Sequence, residues 1–316
     1  MPAPIGLTRR AAIAGTLAAA GVSAEELPPA DVCTSRLRVV AATSDLASLV
    51  QAVGGPLVEV RTVAPPMADP ESFEPRASDL ALIASAALVV RIGLGYDHWL
   101  EKLLDRRGRS FCNRPAPVVD ASSGIPLLEV VGRNPFSQDN HGHGIANPHY
   151  WLDPANARIM TATIGEAIAN ASESAREAVL QNCRRFLERL RRKMGTWTDT
   201  LSPFRGTALL AYHNSWPYFA RRFRLNVVGF IEPREGVTPS VAHLAALLSQ
   251  ARENDVRAIL QATHEPKQFS GTVAARLGIP LIHLAPGVGS VPEAGDYLAL
   301  MDYNVNSLAR ALAKAH

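Results

Sequence analysis

Strand-like and helix-like segments alternate along this chain in two series, and that alternation constrains the fold more than any other feature. The first series begins with the β-rich run LRVVAAT at Leu37. Ser44-Asp45 then offers an N-cap to SDLASLVQAV, which ends at Gly54-Gly55. LVEVRTV (57–63) alternates as a strand, Ser78 caps SDLALIASA, ALVVRIG (87–93) is a strand, and Tyr96 to Leu104 is helical. The second series runs TALLAYH, SWPYFARRF, LNVVGFI, a helix opened by Pro239-Ser240, VRAILQA, KQFSGTVAARLG, IPLIHLA and a closing helix from Asp296 to Lys314. Strands that alternate with helices form βαβ units on parallel sheets. The chain is therefore expected to be α/β, with two similar halves at 37–153 and 205–316 and no short sequence repeat between them.

The halves are joined by a helical region. Asp153-Pro154 opens it, and no proline occurs from Ala155 to about Thr200. Apolar residues recur there at helical spacing (Ala175, Val179, Cys183, Phe186, Leu190), which also makes Cys183 a packing residue. A helix of about 25 residues is about 37 Å long, enough to cross a protein of this size. The segment 154–204 is thus read as a linking helix, and residues 112–150 as loop-rich.

With 316 residues, 47% of them hydrophobic, the chain can bury two cores. Its first 24 residues have a separate purpose. Arg9-Arg10, the small apolar run from Ala11 to Val22 and the Val22-Ser23-Ala24 site have the order of a secretory signal. Thr8-Arg9-Arg10 is weakly like a twin-arginine signal. Asp31 makes the sequence before Cys33 a poor lipoprotein box, so a periplasmic protein without a lipid anchor is expected. The formal charge of +3 includes those two arginines, and the chain beyond them is nearly neutral, which argues against a general nucleic-acid binder. Three cysteines (Cys33, Cys112, Cys183) allow at most one internal disulfide and form no CxxC cluster.

Ligands of parallel α/β sheets bind beyond the C-terminal strand ends. The residues there include Asp69, Glu71 and Glu74 after Val63, His149 before the linking helix, His213 after LLAY, and Thr263-His264-Glu265 after AILQA. Imidazoles and carboxylates converging from such loops can hold zinc, and manganese or iron accept similar donors. Each residue also has a plainer role as a hydrogen-bonded or solvated loop side chain. His141-Gly142-His143 could scavenge metal or be a polar loop. His98, His243 and His283 are read as helix-surface or strand residues. No HExxH, G-x-S-x-G, P-loop or Rossmann fingerprint is present, which disfavours a metal-dependent hydrolase.

Several segments, in order, resemble the zinc/manganese solute-binding proteins of ABC importers, the TroA/ZnuA-like family. They are VVAATSDLASLVQAVGG, MADPESFEPRASDLALIASAALVVRIGLGYDHWLEKLL, NPHYWLDPANA, AYHNSWPYFARRFRLNVVGF, EPREGVTPS and DYLALMDYNV. The resemblance implies two lobes bridged by one long rigid helix, with the metal between them. It implies His149 and His213 as ligands. Glu71 stands where the family has a metal-binding His, and Ala285-Pro286 where a late Asp is usual, leaving His264 or Glu265 to supply a fourth ligand. It further implies a monomeric, non-enzymatic carrier of a divalent metal, zinc first and manganese or iron as alternatives. Its partners would be a membrane permease and a cytoplasmic ATPase. A metal chaperone or adhesin on the same fold is the other reading.

Overall fold

The computed structural model describes residues 36–66, 68–107, 115–130 and 145–314. The signal-like segment, Cys33, Cys112 and the His141/His143 pair lie outside the described residues.

The first lobe contains β1 (Leu37–Ala41), α1 (Ser44–Gly54), β2 (Val58–Thr62), α2 (Ala77–Ser85), β3 (Leu88–Arg91), α3 (Trp99–Arg106) and β4 (Val118–Asp120). Its sheet is wholly parallel in the order β2-β1-β3-β4. The helices α4 (Pro154–Ala171) and α5 (Arg176–Leu201) follow. The second lobe contains β5 (Ala208–Ala211), α6 (Pro217–Phe223), β6 (Asn226–Phe230), α7 (Val241–Glu253), β7 (Ala258–Ala262), α8 (Lys267–Leu277), β8 (Leu281–Leu284) and α9 (Tyr297–Lys314). Its parallel sheet has the order β6-β5-β7-β8, the same winding as the first. The central strands are apolar on both faces because helices cover both: Val39, Val40 and Ala41 in β1, and Leu209, Leu210 and Ala211 in β5, are buried.

Three local expectations are corrected. β4 lies inside the stretch read as loop, since Val118-Val119 is too short to show an alternation. Thr43, not Ser44, is the N-cap residue of α1, and Asp45 is turned into the interior. At α2 the cap is not Ser78: the Arg76 N–H donates to Asp79 Oδ2 at 2.6 Å. Two helix starts behave as read, with Asp153 accepting from the Ala155 N–H and Ser240 from the His243 N–H.

The linking segment holds two helices rather than one. Ser172 leaves the helical region (φ −146°, ψ 99°) and the chain turns back through 173–175 without a proline or glycine. α4 and α5 then pack closely: Cys183 Sγ lies 3.7 Å from Thr161 O, and a Cβ on Gly165 would meet that sulfur at 3.2 Å. α5 has 26 residues, so it is about 39 Å long. Its buried stripe is Val179, Cys183, Phe186, Leu190, Trp197 and Leu201. Near its start Asn182 bonds Val53 O at the end of α1. Near its end Trp197 Nε1 and Lys193 Nζ bond Asp302 of α9, at 2.8 and 2.7 Å. One stiff helix is thereby fastened to both lobes.

Direct contacts between the lobes add to this. Asp45 Oδ1 accepts the Val288 N–H at 2.9 Å, and Ser44 Oγ donates to Val288 O at 2.6 Å. Trp151 Nε1 donates to Pro286 O, and the Tyr297 hydroxyl donates to Trp151 O. Burial raises the Asp45 carboxyl to about 7, against the lowering effect of its backbone hydrogen bonds. No described helix is long and apolar enough to cross a membrane.

Candidate metal centre

Each sheet delivers its candidate residues at the same edge, beyond the C-terminal strand ends. Glu71 sits in the loop after β2. Asp69 Oδ1 accepts the Glu71 N–H at 3.0 Å, and Trp99 Nε1 donates to Pro70 O at 2.9 Å, which together fix the loop. His149 precedes the short turn that leads to α4. Asn147 Oδ1 accepts its backbone N–H at 3.0 Å and lies 3.2 Å from its Nδ1. Tyr96 and Trp151 pack on the ring, with centroids 5.4 and 5.3 Å away. His213 follows β5, and its Nδ1 lies 2.6 Å from Glu232 Oε2.

The structure brings Glu71, His149 and His213 together: one donor atom from each lies within 4.8 Å of the others. His213 Nε2 is 3.6 Å from Glu71 Oε2. Both histidines have Nδ1 beside an acceptor, so the tautomer with hydrogen on Nδ1 leaves Nε2 as a lone-pair donor. Metal-binding imidazoles are held in this way, by an outer acceptor that fixes tautomer and ring plane.

The three residues face a cavity of about 510 Å³ whose lining also includes Asp69, Glu232, Glu235, His264 and Glu265. Five carboxylates around one cavity attract cations and focus their approach. A larger cavity, about 840 Å³, lies elsewhere in the second lobe, where Arg252, Arg257, Arg310 and Lys314 outnumber Asp255 and His283 and make the lining predominantly cationic.

Burial alone would pull the His213 imidazole down. The Glu232 hydrogen bond and the charges of Glu71, Glu232 and Glu265 outweigh it and raise the group to about 9. Burial raises the Glu265 carboxyl to about 7.

The remaining candidates take other places. Glu265 is buried and its Oε2 accepts the Ala262 N–H at 2.6 Å, while Oε1 has no hydrogen-bond partner. His264 is exposed on the cavity wall, outside the group of three. Glu74 and His98 are exposed, and His243 Nε2 lies 3.0 Å from Phe230 O. Pro286, where the late Asp was sought, lines the cavity with no donor side chain. Sequence reasoning passed over Glu232 and Asn147. Glu232 stands just past β6, at the same strand edge that singled out the others.

Residues 39–311 match the family described as ZnuA, zinc-uptake complex component A, periplasmic. The crystal structure of ZnuA is similar, with a TM-score of 0.75 and 27% identity over 88% of this chain and 99% of that one. The SBP FpvC of Pseudomonas aeruginosa in complex with Mn2+ gives a TM-score of 0.75 and 25% identity over 89% of this chain and all of that one. The manganese ABC transporter substrate-binding lipoprotein PsaA of Streptococcus pneumoniae is 21% identical over 291 residues, spanning 88% of this chain and 90% of PsaA.

Proposed function

The chain belongs to the ZnuA family of periplasmic zinc-uptake components, and from that premise we propose that it captures one divalent transition-metal ion between its lobes as the solute-binding protein of an ABC importer. The observation that carries the reading is the meeting of Glu71 and His149, from the first half of the chain, with His213 from the second, within 4.8 Å.

Glu71, His149 Nε2 and His213 Nε2 form the donor set. Two imidazoles and a carboxylate suit zinc and leave a position open; manganese and iron accept the same donors with added oxygen. Glu265 and His264, on the same cavity wall, are the nearest sources of a fourth ligand. Zinc is the first cargo to test, with manganese and iron next. The protein binds and releases its metal and performs no turnover. It acts as an exported monomer in the periplasm, without a lipid anchor, and hands its metal to a membrane permease driven by a cytoplasmic ATPase.

Crystals grown with zinc, and separately with manganese, test this. Anomalous density at the Glu71–His149–His213 cluster is expected. Density only at surface histidines would overturn the assignment.

A further inference from the structure

Glu232 touches both a metal-facing histidine and the backbone of an exposed loop. Its own N–H donates to Tyr212 O at 2.9 Å, which holds it beside the residue preceding His213. Its two carboxylate oxygens serve different partners. Oε2 lies 2.6 Å from His213 Nδ1, and Oε1 accepts the Gly236 N–H at 2.9 Å. The Glu232 side chain is 12% exposed, whereas Gly236, Val237 and Thr238 are exposed while lining the cavity. Within the loop, the Val237 N–H also donates to Arg234 O at 2.9 Å. Gly236 sits at φ +70°, a conformation that suits glycine.

We infer that Glu232 is a positioning residue that transmits the state of His213 to the loop at 233–239, so that metal capture orders the wall of the cavity. This rests on the metal-capture reading above. A metal on His213 Nε2 fixes the ring plane and keeps hydrogen on Nδ1. That holds Glu232 in the rotamer whose second oxygen reaches Gly236. An imidazole without metal is free to turn away from Glu232, and the loop then loses the Glu232–Gly236 tie. Both oxygens are needed, which glutamine cannot reproduce because its amide has one acceptor and one donor.

Hydrogen exchange of the 232–240 amides in the full exported chain tests this, metal-free and with saturating zinc or manganese salts, alongside a count of bound metal. In the wild type, metal should slow exchange at Gly236 by about tenfold or more. Glu232→Gln should bind metal roughly 10- to 100-fold more weakly and show almost no metal-dependent protection of the loop at saturation. Glu232→Asp, which keeps the charge but falls short by one methylene, should behave the same way, and it decides the matter if the glutamine variant does not fold. Equal loop protection in a folded variant and the wild type would overturn the relay. So would a metal-loaded wild type whose loop exchanges as fast as the metal-free form. A wild type that takes up no metal would overturn the capture reading itself, and the metal count separates these outcomes.

Discussion

His213 Nε2, at the end of β5, lies 3.6 Å from Glu71 Oε2, in the loop after β2. The two residues belong to different lobes, and the contact spans the seam where a metal would bridge them. Replacing His213 with Ala should weaken metal affinity by more than roughly 100-fold, beyond the loss typical of an outer-shell partner. Glu71→Ala should do the same. A competition titration that finds unchanged affinity in Glu71→Ala would remove Glu71 from the donor set.

Metal capture should expel a proton. With His213 at about 9, the imidazole is charged at neutral pH in the metal-free protein. A ligating imidazole must be neutral, so binding near pH 7.5 should release about one proton per metal. Apparent affinity should rise by about tenfold per pH unit towards pH 9. Calorimetry in buffers of different ionisation enthalpy measures the release. A pH-independent affinity from 6 to 9 would contradict the assigned role of His213.

The stability of the metal-free protein should fall as pH rises. His213 is raised above its unfolded value of 6.5, so its contribution is complete below that pH and is lost on passing about 9. Asp45 and Glu265, raised to about 7 from 3.8 and 4.5, oppose folding once ionised, a penalty that grows from about pH 4 to 7. All three act in one direction between pH 5 and 9. Thermal melting should show a falling Tm across that range, with saturating metal reversing most of the fall above pH 7. A Tm that rises across the range would contradict these assignments.

Asp153 fastens α4 to the second lobe. It is fully buried, caps α4, and takes Arg222 Nε and Nη2 at 2.6 and 3.0 Å. Arg222 is 33% exposed, so part of its charge can return to water when the pair is broken. Asp153→Ala should therefore cost about 2–3 kcal/mol, below the usual range for a fully buried pair. Urea unfolding measures this, and a cost under 1 kcal/mol would show that the fork contributes little.

The lobe seam should be stiff. Gly287 lies so close to Asp45 that an added Cβ would stand 2.8 Å from Oδ2. Gly287→Ala should destabilise by about 1–3 kcal/mol through overpacking. The wild type, held by α5 and by the Asp45–Val288 bond, should show little domain closure. Spin labels on the two lobes should report nearly equal distances with and without metal; a wide shift would contradict a rigid link.

Much of this arrangement was legible in the sequence because it rests on periodicity and on strand ends. The apolar runs around Val39 and Leu209 marked the central strands. The edge argument placed Glu71, His149 and His213 in a wider set with Asp69, Glu74, His264 and Glu265, and the family resemblance singled out the two histidines. What escaped notice depended on tertiary context. β4 is too short to carry a pattern, and the turn at Ser172 uses neither proline nor glycine. Asp45 looked like a cap because nothing local shows that Val288, 243 positions away, claims its carboxylate. Glu232 was overlooked because its role depends on the neighbouring strand, which sequence spacing does not display.

The most direct test of metal capture is metal content with competition titration on the chain beginning at Glu25, purified without a histidine tag. The account predicts one tightly bound divalent ion per chain in the wild type, and none in the His149→Ala/His213→Ala double variant. A wild type with no tight metal, or a double variant that binds as tightly as the wild type, would contradict it.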